Sequence, residues 1–205
     1  PAASAVANFE TLFINDTGGG LTYDLDDFTN SALLDVSVAS TGGDVEVDSL
    51  TTEDVTLTGD NPGTVTLNAE NSGSSLDLAL DNGNANGVDV TTLTTSNIDT
   101  LELSSSDDGS LGSTDSNSVG DVTVETVNIA ASAALEVTTT GSDTETLDAS
   151  GSDGDVTFDV ADLTGVTVTG GNGDDTLVIS RAGSPGTLPA ATVSGVETFD
   201  VTVDS

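Results

Sequence analysis

The sequence predicts an all-β protein folded as a β-solenoid, a coil of short parallel strands in the manner of a parallel β-helix or β-roll. Three observations predict this fold: short runs alternate apolar with polar residues, clusters of Gly, Asn, Asp and Ser separate the runs, and similar segments recur along the chain. Alternation with a period of two places one set of side chains inside and the other outside. The recurrence, at about 20 residues, has the size of one solenoid turn.

The predicted strands are short runs in which β-branched residues alternate with polar ones. Clear examples are residues 45–47, 55–57, 65–67, 122–124 and 166–168. Gly, Asn, Asp and Ser lie between the runs, and these residues favour turns because they tolerate unusual backbone angles or hydrogen-bond to nearby backbone groups. The pattern therefore predicts many short strands joined by tight turns.

A repeated unit gives the coil its expected spacing. The unit reads acid, Thr, apolar, polar, apolar, and it recurs loosely at residues 10–14, where Phe13 takes the polar position, and at 99–103, 125–129, 145–149 and 197–201. Residues 151–155 resemble residues 171–175 in the same way, which predicts that Asp155 lies in register with Asp175. The units at 125–129 and 145–149 are 20 residues apart, and so are the segments 151–155 and 171–175. Both spacings favour stacked rungs of one solenoid.

The chain is predicted to be a single elongated domain spanning residues 1–205. Loops are expected near 104–119, a segment dense in Ser, Asp and Gly, and near 181–189. The alternative architecture is an antiparallel β-sandwich, which also uses many short strands. A sandwich of the immunoglobulin type usually has a buried Trp or a tyrosine corner, whereas this sequence has no Trp and only one Tyr, Tyr23. The solenoid is therefore preferred.

The charge of the chain requires counter-ions. The sequence contains 36 acidic residues and one basic residue, giving a formal net charge of −35, yet its hydrophobic fraction is 35%. Because Arg181 cannot neutralise so many carboxylates, we expect bound divalent cations to do so, and calcium prefers clustered carboxylate and carbonyl oxygens. The alternative is the generic acidic surface of a halophilic protein, which salt screens without specific sites.

Composition also excludes several classes of function. Nucleic acid is not an expected partner because phosphate binding needs a basic surface. Membrane insertion is not expected because no stretch approaches the length of about 20 apolar residues that a span requires. The absence of Cys and His removes disulfides, zinc sites and the usual acid–base catalyst, so we expect no enzyme activity. Pro1 and the lack of Met predict a processed or excised product.

The most specific motif lies at residues 170–178, which read G-G-N-G-D-D-T-L-V. They fit the nonapeptide G-G-x-G-x-D-x-U-x, in which a glycine turn and an aspartate bind calcium. Glycine turns expose carbonyl oxygens, and neighbouring Asp and Asn side chains complete a shell of six to eight oxygens. The predicted calcium ligands are Gly171, Asn172, Gly173, Asp174, Asp175, Asp153, Asp155, Asp44, Asp60, Asn61, Asp81 and Asn82. The competing interpretation is an ordinary Gly-Asp turn without an ion.

The nonapeptide, the V-E-T-V-N-I and V-E-T-F-D-V units and the near absence of Lys, Arg, Cys and His resemble calcium-dependent, RTX-type bacterial surface-layer proteins. The resemblance implies export to the cell surface, a solenoid stiffened by calcium, and assembly into a lattice. This chain departs from the family by lacking tandem nonapeptides. The expected function is a secreted, non-enzymatic structural protein of a surface layer, sheath or filament. Its expected partners are further copies of itself and cell-surface polysaccharide.

The alternative function is a stalk module of a large RTX adhesin, in which calcium stiffens a repetitive stalk and another domain binds the target. A lattice subunit polymerises alone when calcium is added, whereas a stalk module stiffens but stays monomeric. Glycosidase activity and ice binding are weaker alternatives, because no catalytic pair of carboxylates can be chosen and because Thr is common in any solvent-facing strand.

Overall fold

The structure is a computed structural model. It describes residues 10–16, 18, 20–27, 35–40, 43–58, 61–82, 87–107, 117–139, 143–182 and 190–204. Of the two predicted loops, residues 108–116 and 183–189 lie outside the described residues. The ends of the first predicted loop and the start of the second are not loop, because 104–107, 117–119 and 181–182 belong to strands.

The described part of the chain contains eighteen β-strands and one short 3-10 turn, Leu25–Asp27. The first nine strands are β1 (Thr11–Asp16), β2 (Leu21–Asp24), β3 (Asp35–Ser40), β4 (Val45–Leu50), β5 (Asp54–Thr58), β6 (Asn61–Ala69), β7 (Ser74–Asn82), β8 (Asp89–Ser96) and β9 (Ile98–Asp107). The remaining nine are β10 (Asn117–Val122), β11 (Thr126–Ala131), β12 (Leu135–Thr139), β13 (Thr146–Asp148), β14 (Val156–Val160), β15 (Thr167–Thr169), β16 (Thr176–Ala182), β17 (Thr192–Ser194) and β18 (Thr198–Asp204). Among these residues no helix is long and apolar enough to cross a membrane.

The strands alternate between two parallel sheets, so the chain winds as a flattened coil. The odd-numbered strands form one nine-stranded sheet and the even-numbered strands form the other, each in sequential order. We call them the odd sheet and the even sheet. Every described pairing between strands is parallel, from β1 with β3 to β16 with β18. The predicted β-solenoid is therefore confirmed, and the antiparallel sandwich is excluded.

The core lies between the two sheets and consists of columns of aliphatic side chains. In β4, Val45 and Val47 are buried, whereas Glu46 and Asp48, which alternate with them, are partly exposed. Parallel pairing places each buried side chain on the equivalent side chain of the next coil, as Phe158 lies between Val137 and Leu177. The thin columns explain why the fold needs so few aromatic residues.

Polar side chains are also buried inside the coil, and they satisfy backbone groups at its corners. Asn117 is buried, its Oδ1 accepts a hydrogen bond from the Val88 amide at 2.7 Å, and its Nδ2 donates to Ser105 Oγ at 2.8 Å. The buried Ser152 hydroxyl accepts from the Ala131 amide at 3.0 Å. Such bonds are needed because an unpaired polar group in the interior costs about 1–3 kcal/mol.

Three of the repeated sequence units lie side by side on neighbouring strands of the odd sheet. Thr100, Thr126 and Thr146, the threonines of three units, are aligned in the odd sheet. Coil length varies around the predicted value, because Val90 pairs with Val119 and Val119 pairs with Val137. Coils of different length therefore keep their strands aligned.

Candidate functional site

The structure brings together the two turns that the nonapeptide predicts to be neighbours. The Asn172 amide donates to the Ser152 carbonyl at 2.8 Å, and Asn172 Nδ2 donates to Asp153 Oδ1 at 3.0 Å. Asp155 Oδ1 accepts from the Asp174 amide at 2.8 Å. Residues 171–175 thus stack directly on residues 152–155 of the preceding coil.

The alignment of these turns differs by one residue from the predicted alignment. Thr157 pairs with Thr176, and Asp155 contacts Asp174 rather than Asp175. In a strand, a shift of one residue moves a side chain to the opposite face. Asp155 and Asp174 accordingly lie exposed at the surface, whereas Asp175 points inward.

Asp175 joins two coils through its side chain. The residue has an exposed fraction of 0%. Its Oδ1 accepts from the Val156 amide at 2.8 Å, and its Oδ2 accepts from the Gly171 amide at 2.6 Å. Its own amide donates to Glu197 Oε2 of the next coil at 2.9 Å. A buried carboxylate held by backbone N–H groups is favourable because charge-assisted bonds are about twice as strong as neutral ones.

The glycines of the motif allow backbone to approach backbone. A Cβ atom on Gly173 would lie 2.5 Å from the Gly154 carbonyl oxygen, and one on Gly171 would lie 2.6 Å from the Ala149 carbonyl oxygen. Neither neighbour can move without shifting the strand that follows. Close stacking of the turns therefore requires glycine at both positions.

The other predicted ligands lie apart from this pair of turns. Asp44 is exposed, and its Oδ1 accepts from the Thr64 amide of the next coil at 2.8 Å. Asp81 is exposed on β7, in register with Thr58 and Ser106. Asp60 lies outside the described residues. Asn61 and Asn82 belong to β6 and β7, and the structure describes only their backbone.

The donor chemistry of the stacked turns suits calcium, but the described residues form no complete site. Asp153, Asp155 and Asp174 present exposed carboxylates beside closely stacked carbonyl groups, and all of these donors are the hard oxygens that calcium prefers. In the residues with described positions, no three acidic side chains are grouped closely enough to hold a metal ion. Calcium binding at these turns stays a prediction.

A row of acidic side chains, which was not predicted from the sequence, crosses the outer face of the odd sheet. Asp35 pairs with Asp54, Asp77 with Glu102, Glu102 with Asn128, and Asn128 with Asp148. We call Asp35, Asp54, Asp77, Glu102 and Asp148 the acidic ladder. Members on adjacent strands are about 4.8 Å apart, and Asn128 separates Glu102 from Asp148. Only the fourth position of the repeated unit, occupied by Glu102, Asn128 and Asp148, indicates it in the sequence.

The acidic ladder borders a groove of about 520 Å³, whose floor includes small side chains such as Thr56, Ala79 and Ser104. Within it, partial burial and the carboxylates of Asp77 and Asp35 raise the pKa of Asp54 above its ordinary value of 3.8. A side-chain hydrogen bond with Asp77 acts in the same direction. Burial and repulsion between neighbours thus raise the pKa of Asp54 in the same direction.

The final coil exposes residues from the core columns. Phe199 and Val201 of β18 are 55% and 45% exposed. Their partners in β16 are Leu177 and Ile179, which are 0% and 2% exposed. Phe199 and Val201 therefore face the interior of the coil at an end that no further coil covers in the described structure.

No protein-family model matches the chain, and neither curated proteins nor solved structures give a match. The function is therefore inferred from the chemistry of these turns, faces and ends.

Proposed function

We propose that the protein is a secreted, non-enzymatic structural protein that self-assembles, with calcium, into a surface layer, sheath or extracellular filament. The observation that carries this proposal is the pair of stacked turns, where Asp153, Asp155 and Asp174 expose carboxylates to solvent. Calcium takes six to eight oxygen ligands, so a second copy would complete a shell that one copy fills only in part.

Calcium is part of the proposal because assembly would bring strongly acidic molecules together. A net charge of −35 makes contact between copies repulsive. Because the described residues of one copy form no complete site, Asp153, Asp155 and Asp174 would bind calcium together with oxygen atoms of a second copy. An ion bound there would supply positive charge and would stabilise the folded state by mass action.

Light scattering tests the proposal on the purified chain. We expect scattering to rise as calcium is added at constant ionic strength, and to fall when a chelator is added. Magnesium at the same concentration is the control, because it prefers an octahedral shell and keeps several waters, and we expect it to be less effective. A rise in melting temperature with calcium but without scattering would instead favour the adhesin stalk. No response in either measurement would refute both calcium-dependent functions.

A further inference from the structure

We infer that Asn172, in the later of the two stacked turns, is a site of spontaneous deamidation, which turns its side-chain amide into a carboxylate. Asn172 is exposed and is followed directly by Gly173. Glycine has no Cβ atom, so its nitrogen can approach the side chain of the preceding residue without steric hindrance. The pair therefore combines access to water with an unhindered internal nucleophile.

The reaction needs only water and these two residues. The Gly173 nitrogen loses its proton to hydroxide and attacks Cγ of Asn172, so that a new C–N bond closes a cyclic imide. The bond from Cγ to Nδ2 breaks, and this nitrogen leaves as ammonia after taking up a proton from water. Water then opens the imide at either carbonyl carbon and gives aspartate or isoaspartate at position 172. No oxidation or reduction occurs.

The two stacked turns differ in how far the structure hinders this reaction. Asp153 and Gly154 form the corresponding pair in the preceding coil, and an aspartate before glycine can close the same imide by losing water. The Gly154 amide, however, donates to the Ala131 carbonyl at 2.9 Å. The Gly173 amide donates to no acceptor among the described residues. A hydrogen-bonded amide must break that bond before it loses its proton, so the reaction is hindered at position 153 and open at position 172.

One hydrogen bond of the side chain opposes the reaction at Asn172. Its Nδ2 donates to Asp153 Oδ1 at 3.0 Å, and both side chains are exposed. Opening an exposed bond of this kind slows the reaction by about tenfold at most. An asparagine in the core would be slowed by far more, since the coil would have to open first.

The fold cannot lose the reactive pair by replacing its glycine. A Cβ atom on Gly173 would lie 2.5 Å from the Gly154 carbonyl oxygen and 2.8 Å from the Asp155 nitrogen. Both are backbone atoms of the preceding coil. Close stacking of the turns thus requires, at position 173, the residue that makes Asn172 reactive.

Deamidation changes how the two turns are held together. It removes the hydrogen bond from residue 172 to Asp153 and places a second carboxylate beside the first, where like charges repel. Asp155 and Asp174 already expose carboxylates on the same turns. The modified turns would therefore depend on a cation to offset the repulsion. This effect of calcium rests on the proposed function, whereas deamidation itself does not.

Mass spectrometry of the aged protein tests the modification. The folded chain is incubated at mildly alkaline pH and then digested with pepsin at acidic pH, where deamidation is slow. Isoaspartate at position 153, which does not change the mass, is separated by chromatography. Synthetic peptides of residues 150–157 and 169–176, incubated in parallel, give the rate of each pair without the fold. The other Asn-Gly pairs of the chain, 82–83 and 86–87, fall in different peptides.

The rates in the folded chain and in the peptides decide the outcome. We expect the fold to slow the reaction at position 172 by no more than about tenfold, and to slow imide formation at position 153 much more. Stronger slowing at 172, or equal slowing at both positions, would overturn the inference.

Two variants measure the consequence for stability. Asn172→Asp carries the product of deamidation, and the control Asn172→Ser removes the amide without adding charge. In chelator, we expect the melting temperature of Asn172→Asp to lie below that of Asn172→Ser, and calcium should close this gap. Equal melting temperatures in chelator would contradict the repulsion from Asp153.

The outcomes keep this inference apart from the proposed function. Deamidation at position 172 with a gap in melting temperature that calcium leaves open would support the modification and contradict calcium binding at these turns. A chain that assembles with calcium while Asn172 stays unmodified would overturn the inference alone.

Discussion

At the scale of single residues, the aspartate of the nonapeptide has a structural role that the motif alone does not reveal. Asp175 is buried, and its two carboxylate oxygens accept hydrogen bonds from the amides of Val156 and Gly171. It links one coil to the preceding coil through hydrogen bonds to backbone amides. The exposed neighbours Asp155 and Asp174 are the residues left to interact with solvent cations.

Replacement of Asp175 tests this role. Asp175→Asn keeps the shape but places an amide group where one N–H donor needs an acceptor, so we expect the free energy of unfolding to fall by about 2–4 kcal/mol. Asp174→Asn removes the same charge at an exposed position and should change it by less than about 0.5 kcal/mol. Urea denaturation in calcium and in chelator measures both variants. A loss for Asp175→Asn that appeared only in calcium would contradict a structural role.

The sequence was sufficient to predict that these two turns are neighbours but not to align them residue by residue. Glycines at 171 and 173 and the resemblance of 151–155 to 171–175 correctly indicated two stacked turns. The predicted spacing of 20 residues placed Asp155 on Asp175, whereas the structure places it on Asp174. Because the side-chain period of a strand is two, an error of one residue exchanges buried and exposed positions. The composition of the two turns does not distinguish alignments that differ by one residue.

At the scale of strands, parallel stacking collects similar residues into rows. The aliphatic residues of successive coils form the core, and the outward residues form the acidic ladder of the odd sheet. Alternation of apolar and polar residues was enough to predict the strands and the buried face. The ladder could not be predicted, because it depends on which residues of distant segments pair, as Asp77 pairs with Glu102.

The ladder gives the stability of the fold a specific dependence on pH. The raised pKa of Asp54 means that the folded state binds this proton more tightly than the unfolded chain does. Its contribution therefore makes the free energy of unfolding decrease as pH rises from the ordinary value of 3.8 through the raised value. Asp54→Asn should make that decrease less steep, as measured by thermal unfolding between about pH 4 and pH 7.

The control for this measurement is Glu136→Gln. Glu136 lies on the outer face of β12 between Ser118 and Thr157, so its removal lowers the charge without relieving an acidic neighbour. If both variants changed the pH dependence equally, the effect would come from net charge and the role of the ladder would be refuted.

At the scale of the whole molecule, the fold is a linear stack in which each coil contacts mainly its neighbours. Stability in such repeat proteins is approximately a sum of terms for each repeat and for each contact between adjacent repeats. Coils in the middle have two neighbours, whereas the coil of β17 and β18 has one described neighbour. The sequence indicated the coil and its spacing, but exposure at the ends became visible only when the strands were placed in order.

Hydrogen exchange should reveal this gradient. Amides of β7 and β9 are expected to exchange most slowly, and those of β2 and β18 fastest, because terminal coils open at lower free energy. Mass spectrometry of proteolytic peptides measures all three regions. Uniform protection along the chain would contradict the description of independent terminal coils.

The variation in coil length has a further consequence for how such a chain can change. Val119 follows its partner Val90 by 29 residues and precedes its partner Val137 by 18, yet both pairs lie in the same sheet. Part of the additional length lies in β9, which has ten residues where β11 has six, and the pairing of the strands is kept. A peptide inserted where a coil is already longer would be presented at a defined height along the axis. Lengthening a coil thus offers a route to new surface chemistry that keeps the pairing of the core strands.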